Sequence, residues 1–593
     1  MNRKTYIRKF NIWRAKRLKE KQFVYILSII IGLISGVAAV SLKTSVHYIE
    51  SLFRNTGNIE NQNLLYLVLP GIGILLTVIF ISLFVKEDIG HGVTKILYAI
   101  SKRNSKIKGH NTYSSIIACS FTGGFGGSVG MEAPILYTGA AIGSNIGQVF
   151  NLNYKTLTLL IGCGVAGALA SIFKAPITGL IFAFEVLMLD LTTASIIPIL
   201  ISTVTGAIIS SLLVGERIEF YFTLKEVFQF QNIPLYILLG IFTGFISLYF
   251  VKMNSLVERL FKEIYNIKLK IVIGGTALGL LIYFLPPLYG EGYTTMKSIL
   301  SGNAHELLNN TFFYSLYDNS WLFLLFLLFL LLFKVIAMAI TTGSGGIGGV
   351  FAPSLFMGGI TGFTFSRTIN ILFPEWIKIP ESNFILVGMA GLIAGVMQAP
   401  LTAIFLIAEI TGGYGLFIPL IVTSSISYIT IHYFEKHSIY TEKLARYGLL
   451  LTHDKDKAAL RLMKIENVIE KNFSGVKPND TLGKLVQVIA KSKRNIFPVT
   501  DEEHNFLGMI LLDDVREVMF NKEKYCELFV KDLMVQPSDK ISPLDTMEVI
   551  MEKFKNSRLW NLPVIEDSKY IGFISRSNVF NEYRKKLIEF AKE

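Results

Sequence analysis

Cysteine and charge are scarce in this chain of 593 residues, and each scarcity excludes a class of protein. The three cysteines, Cys119, Cys163 and Cys526, lack the spacing of zinc ligands or of a disulfide framework. Charged residues make up 17% of the sequence and hydrophobic residues 51%, which exceeds what a soluble core needs and indicates a polytopic membrane protein. The sequence contains no hydrolase or nucleotide-triphosphatase motif, so we expect neither an enzyme nor a metal site.

The net charge of +13 is unevenly placed, and this argues against a nucleic-acid partner. Nine Lys or Arg residues and one acidic residue occupy positions 1–21, directly before the apolar run Phe23–Val40. Basic flanks beside a membrane segment are typical of the cytoplasmic side. We therefore expect a multi-pass protein of the cell membrane, surrounded by lipid, with both termini in the cytoplasm.

The composition changes sharply near Tyr440, where apolar helices give way to charges and short strand patterns. We predict a basic N-terminal segment, a membrane domain, a linker and two α/β domains, at residues 1–22, 23–446, 447–462, 463–522 and 530–589. Some apolar segments reach the roughly 20 residues that a crossing needs. Others are shorter because Gly and Pro interrupt them, and such half-helices are tolerable in a bilayer only where their ends are buried or line a cavity.

The membrane domain contains an internal repeat. The stretch "GGFGGSVGMEAPILYTGAAIG" resembles "SGGIGGVFAPSLFMGGITG", and Pro134 of the first corresponds to Pro353 of the second. The stretch "KAPITGLIFAFEV" resembles "QAPLTAIFLIAEI", and Pro176 corresponds to Pro400. The two motif pairs have nearly the same offset along the chain, and interrupted helices occupy matching places. This pattern indicates a transporter fold with a site near the membrane midplane.

Three stretches share one design, in which glycines precede a helix: "DIGHGVTKIL", "GSVGMEAP" and "GGVFAP". A helix N-terminus carries unpaired N–H groups and the positive end of the helix dipole. Several such termini aimed at one point would replace the hydration shell of an anion without a full positive charge. Any one motif alone is better explained as tight helix packing. Three within a duplicated architecture predict an anion site.

Glu132 lies in the second of these stretches. A carboxylate in a membrane segment is expensive and usually functional. The alternative is that Glu132 only caps its own helix.

These motifs resemble those of the chloride channel (CLC) family of chloride channels and proton/chloride exchangers, over residues 23–446. Residues 130–134 match the family's G-[KR]-E-G-P motif and 349–353 match G-x-F-x-P, while 90–94 depart further from G-S-G-I-P. The resemblance implies an all-α polytopic membrane fold with inverted repeats and interrupted helices, in a homodimer with one pore per subunit. It also implies a gating role for Glu132, and anion binding by His91, Gly92, Gly130, Val350, Phe351 and Tyr440.

Val186 stands where the exchangers of this family carry a second glutamate, the internal proton acceptor, and where its channels commonly have valine. We therefore predict passive chloride conduction through a glutamate-gated pore of the voltage-gated channel type, with proton/chloride antiport as the alternative. Glu185 and its equivalent Glu409 are expected to satisfy buried backbone groups. Lys334 could either draw anions toward the pore or snorkel to the interface. His91 replaces a serine of the family, but an imidazole N–H can still donate to an anion.

A second repeat follows the membrane domain, in which "RNIFPVTDEEHNFLGMILLDDV" matches "LWNLPVIEDSKYIGFISRSNV". Each copy contains a strand with Pro-Val, a polar turn, and a Gly-containing strand that leads into a helix. The copies resemble a pair of cystathionine-β-synthase (CBS) domains, whose clefts often hold adenine nucleotides.

The CBS resemblance implies possible nucleotide contacts from Asp514, Ser575 and Asn578, although Leu511 departs from the Ser/Thr position of the first copy. A purely structural dimerisation module is the alternative. A less favoured function for the whole chain is an adenylate-sensing regulator with a membrane anchor. We expect no required cofactor, with chloride as the transported ion.

Overall fold

The computed structural model describes residues 14, 17–54, 59–87, 89–90, 92–215, 228–308, 319–374, 379–446, 460, 463, 465–557 and 559–591. The predicted anion ligand His91 and most of the predicted linker lie outside these described residues. The chain divides into two compact units, of which the first ends at Leu450 and the second begins at Leu451.

The first unit is built from α-helices. Those that the described residues form are α1 (Glu20–Arg54), α2 (Ile59–Phe80), α3 (Gly92–Lys102), α4 (Ser114–Gly124), α5 (Glu132–Val149), α6 (Tyr154–Phe173), α7 (Pro176–Glu185), α8 (Thr193–Val214), α9 (Ile233–Glu263), α10 (Ile267–Phe284), α11 (Tyr293–Leu300), α12 (Ser320–Gly343), α13 (Phe351–Leu372), α14 (Glu381–Met397), α15 (Pro400–Ile410), α16 (Phe417–Phe434) and α17 (Glu442–Arg446).

Two classes of apolar helix make up this unit. Within the described ranges, eight helices are long and apolar enough to cross a membrane, namely α1, α2, α6, α8, α9, α10, α12 and α16. The helices α7 and α15 have only 10 and 11 residues, as the interrupted pattern predicts. Both begin at a proline, which suits the first turn because the missing N–H would have no partner there. The first unit is thus a multi-pass membrane domain.

Glycines pack equivalent helices of the two repeats in the same way. In the first repeat, a Cβ added to Gly139 of α5 or to Gly164 of α6 would collide with the carbonyl oxygen of the other glycine. In the second repeat, Gly358 of α13 and Gly388 of α14 face each other in the same manner. The offsets between corresponding glycines equal those of the two pairs of proline motifs. The repeat seen in the sequence is therefore also a repeat in helix packing.

The second unit contains two antiparallel β-hairpins. Its strands are β1 (Ile469–Glu470), β2 (Ile496–Thr500), β3 (Phe506–Leu511), β4 (Asn561–Glu566) and β5 (Lys569–Ser575), and its helices are α18 (Leu482–Lys491), α19 (Leu512–Val515), α20 (Val530–Leu533), α21 (Met547–Ser557) and α22 (Arg576–Ala591). The strand orders are β1-β5-β4 and β2-β3. Val499 pairs with Gly508 and Val564 with Gly572, and both hairpins shift register at the next residue. The two copies thus fold alike.

Candidate functional site

The N-termini of α5 and α13 are held side by side by two reciprocal backbone hydrogen bonds. The Gly130 N–H donates to the Gly349 carbonyl at 3.0 Å, and the Gly349 N–H donates to the Gly130 carbonyl at 2.7 Å. The start of α3 packs at the same place, because a Cβ on Gly92 would collide with the carbonyl oxygen of Ala133. Three helix N-termini therefore meet here, each with unpaired N–H groups and the positive end of a dipole.

The Glu132 carboxylate lies at this meeting point and is buried, with 1% of the residue exposed. Its Oε1 accepts a hydrogen bond of 2.6 Å from the hydroxyl of Tyr293 on α11. Its Oε2 packs against Gly130, and a Cβ on Gly130 would lie 3.1 Å from the Ala352 nitrogen. The carboxylate is therefore placed beside both helix N-termini, where the local field favours a negative charge.

A cavity of about 50 Å³ adjoins this point and has room for several waters or a small anion. Gly92, Val350 and Tyr440, three of the predicted anion-binding residues, line it together with Ala133. Thr94 Oγ1 donates to the Tyr440 carbonyl at 3.0 Å and so ties the start of α3 to the segment before α17.

Two other predicted anion ligands do not line the cavity. Gly130 lies in the backbone bridge, and Phe351 packs its ring against Phe173 with 5.3 Å between centroids. Their predicted anion contacts stay predictions. The cavity does contain a feature that sequence reasoning missed, an ion pair of 2.7 Å between Glu258 of α9 and Lys443 of α17.

Lys334 is fully buried, so snorkelling to the interface does not describe it. Its Nζ donates to the Gly290 carbonyl at 2.9 Å and to the Leu288 carbonyl at 3.3 Å. It also lies 4.9 Å from the centre of the Phe356 ring, within the range of a cation–π contact. The two carbonyls belong to the loop before α11, so Lys334 fixes the loop that presents Tyr293.

Glu409 caps the start of α7 in the first repeat, and Glu185 caps the start of α15 in the second repeat. The Glu409 carboxylate accepts from the N–H groups of Ile177 and Thr178 and from the Thr178 hydroxyl, at 3.0, 2.8 and 2.6 Å. The Glu185 carboxylate accepts from the N–H groups of Leu401 and Thr402 and from the Thr402 hydroxyl, at 3.0, 2.7 and 2.6 Å. Both carboxylates therefore satisfy the free N–H groups of a helix start, as expected of structural residues.

Val186 is buried directly after α7. Its apolar side chain cannot carry a proton.

In the second unit, two of the predicted nucleotide-binding side chains already have partners. The Ser575 hydroxyl donates to Glu470 at 2.7 Å, and the Asn578 amide donates to the Val468 carbonyl at 3.1 Å. Glu470 also pairs with Arg494 at 2.6 Å. The predicted contact residue of the first copy, Asp514, is exposed in α19. Nucleotide binding here stays a prediction.

Comparisons with known proteins match both units. The family model described as voltage gated chloride channel matches residues 73–432, and the CBS domain model matches residues 465–521 and 530–585. The H(+)/Cl(-) exchange transporter ClcA of Vibrio cholerae (strain O395) is 27% identical over 441 residues, which are 71% of this chain and 89% of the relative.

Solved structures show the same fold. A slow cyanobacterial Cl-/H+ antiporter superposes with a TM-score of 0.62 at 23% identity, over 72% of this chain and 98% of the antiporter chain. A eukaryotic CLC transporter superposes with a TM-score of 0.59 at 18% identity, over 94% and 97% of the two chains.

Proposed function

The chain belongs to the chloride channel (CLC) family, and we propose that it transports chloride across a membrane in exchange for protons, with Glu132 as the gate. The observation that carries this proposal is the position of the Glu132 carboxylate, buried beside two bridged helix N-termini and next to a cavity lined by Gly92, Val350 and Tyr440. A site that stabilises a carboxylate there also stabilises a chloride ion. The two therefore compete, and protonation of Glu132 removes the competitor.

Exchange is favoured over the passive conduction that Val186 suggests. The V. cholerae relative is named an H(+)/Cl(-) exchange transporter, and the alignment spans most of its length. That name supports the antiport alternative more strongly than one residue supports a channel, because a chain of waters can carry a proton past an apolar side chain. Passive conduction remains the second candidate, favoured by the valine after Glu185.

Simultaneous chloride and proton flux from liposomes tests the proposal. We expect an imposed chloride gradient to drive protons against their own gradient, and we expect this movement to disappear in Glu132→Gln while chloride flux continues. Chloride flux without any uphill proton movement in the wild type would favour the passive channel instead.

Three further features are part of the proposed function. We propose that both termini, and with them residues 451–593, lie in the cytoplasm, because the N-terminal segment is basic. We propose a homodimer with one anion path per subunit, on the family resemblance, to be checked by mass measurement in detergent. We also propose that the CBS pair modulates transport through an adenine nucleotide, which calorimetry on the purified chain tests.

A further inference from the structure

An ion pair lines the cavity that adjoins the helix N-termini. Glu258 and Lys443 are 2.7 Å apart, and the Glu258 side chain is 10% exposed. Both residues line the same cavity as Gly92 and Tyr440. The Lys443 side chain is 35% exposed, but a largely buried carboxylate such as that of Glu258 is expensive inside a membrane domain and indicates a function in transport.

The cavity-facing side of α9 is polar around Glu258. Val251, Asn254, Ser255 and Glu258 all line the cavity, and their spacing of three and four residues places them on one face of the helix. The Asn254 amide donates to Glu258 Oε1 at 3.4 Å. Such a polar face can hold waters in contact with the Glu258 carboxylate.

We propose that Glu258 exchanges the transported proton with the solution at this cavity. It would do the work of the internal glutamate of the exchangers, whose position Val186 occupies here. The proposal rests on the exchange function proposed above. A hydronium ion of the solution loses one O–H bond as one forms on the Glu258 carboxylate. The proton then passes along cavity waters to the Glu132 carboxylate, and Glu258 becomes ionised again. The cavity reaches Ala133, the residue next to Glu132, so waters in it extend from Glu258 to the neighbourhood of the gate.

Lys443 links the proton to the anion in the same cavity. While Glu258 is ionised, it neutralises the Lys443 ammonium. Protonation of Glu258 removes one negative charge from beside the ammonium, so the potential at a chloride ion in the cavity becomes more positive. A proton on Glu258 and a chloride in the cavity therefore strengthen each other's binding.

An experiment on Glu258 must distinguish its titration from that of the other titratable groups at the cavity. Glu442 and Tyr440 also line it, and Glu442 pairs with Arg446. His91, next to Gly92 in the sequence, lies outside the described residues, but an imidazole titrates near neutral pH.

Glu258→Gln in the full chain tests the proposal in liposomes, because it preserves shape and removes the proton. We expect chloride flux to continue while the ratio of proton to chloride flux falls at least about 100-fold, the lower range for loss of a proton-transferring group. Glu258→Asp should keep part of the proton flux. The matched control is Glu435→Gln. Glu435 pairs with Lys252, which lies on α9 as Glu258 does, but neither Glu435 nor Lys252 lines the cavity. This variant should keep the wild-type ratio.

Two outcomes in liposomes overturn the proton role of Glu258 but leave the exchange proposal standing. One is an unchanged flux ratio in Glu258→Gln, and the other is an equal loss of both fluxes, which would mark Glu258 as structural. If the wild-type chain moves no protons uphill, the exchange proposal fails and the proton role of Glu258 fails with it.

Chloride binding in detergent separates these failures, because it does not depend on exchange. In a background that carries both His91→Ser and Glu132→Gln, where neither the imidazole nor the gate titrates, calorimetry should show chloride binding that is tighter at pH 5 than at pH 7.5 by about fivefold, the lower range for coupled sites. Glu258→Gln added to that background should abolish the difference. A pH response that persists without Glu258 overturns its linkage to Lys443, whatever the transport mode.

Discussion

The membrane domain holds two kinds of carboxylate at helix starts, the buried Glu132 and the half-buried Glu185 and Glu409, and they differ in how fully their oxygens are bonded. Glu185 and Glu409 each accept three hydrogen bonds from the helix start of the opposite repeat, all at 3.0 Å or less. Glu132 also lies at helix starts, but within the described part of the chain its short side-chain bond comes from one hydroxyl, that of Tyr293. The same residue type beside the same kind of helix terminus is therefore held with very different strength.

The difference teaches which carboxylate can move. A carboxylate that accepts two N–H groups and a hydroxyl leaves three donors without partners if it departs, and each costs about 1–3 kcal/mol where it is shielded from water. Glu132 gives up far less, and an incoming chloride can take its place at the helix termini. Saturation of the carboxylate oxygens thus separates a structural glutamate from a gate.

The largest expected effect comes from neutralising the carboxylate that can move. Glu132→Gln should abolish uphill proton movement in liposomes, a loss of about 100-fold or more, because an amide does not carry a proton. Chloride flux should persist and become nearly independent of pH, since the amide resembles the protonated gate. Flux measurements between pH 5 and 8 check this, and a mutant with the wild-type pH dependence would remove Glu132 from the gate.

Removing a saturated carboxylate should instead affect folding. Glu409→Ala leaves the donors at Ile177 and Thr178 without their acceptor, and we expect the free energy of unfolding to fall by about 2–4 kcal/mol. Thermal unfolding in detergent measures the change, with Glu442→Ala as a control because its partner Arg446 is exposed. The flux ratio of the folded fraction should stay at the wild-type value. An altered ratio at full stability would mean that saturation does not identify a structural glutamate.

Much of this site can be predicted from local sequence, because helix starts have local signatures. The prolines and glycines around Pro176 and Pro400 mark the starts of the short helices to within a residue, and Glu132 is identified by its motif. The reciprocal bonding of Glu185 and Glu409, by contrast, joins segments that are far apart in the chain. Such partners depend on packing of the two repeats, so composition and spacing do not reveal them.

The two other long-range features of the site were missed for the same reason. Tyr293 is 161 residues from Glu132 in the sequence, and Lys443 is 185 residues from Glu258. Asn254, Ser255 and Glu258 do carry a local signal, since their spacing makes a polar stripe on an otherwise apolar helix. That stripe could have drawn attention to α9, although not to its partner.

A smaller effect is expected when the single short bond of Glu132 is removed. Tyr293→Phe deletes the hydroxyl and leaves the ring, so the carboxylate is held less firmly against a competing chloride. A hydrogen bond to a charged group contributes about 1.5–3 kcal/mol, and we expect chloride turnover to rise about tenfold, the lower end of that range, with proton coupling retained. Stopped-flow chloride efflux measures this rise. Unchanged turnover would show that the Tyr293 hydroxyl does not limit departure of the carboxylate.

The smallest effect extends the comparison to the second unit, where Glu470 is another carboxylate with two side-chain partners. It accepts from the Ser575 hydroxyl at 2.7 Å and pairs with Arg494 at 2.6 Å. If an adenine nucleotide binds at Ser575 and Asn578, its phosphates meet the negative charge of Glu470. Glu470→Gln removes that repulsion and leaves Arg494 available to phosphate. Because the Arg494 side chain is 40% exposed, we expect only about a fivefold gain in affinity for ADP, roughly 1 kcal/mol. Calorimetry on the full chain measures it, with Asp513→Asn as a control at an exposed pair. Weaker ADP binding in Glu470→Gln would mean that the carboxylate orders the site for the nucleotide rather than opposing it.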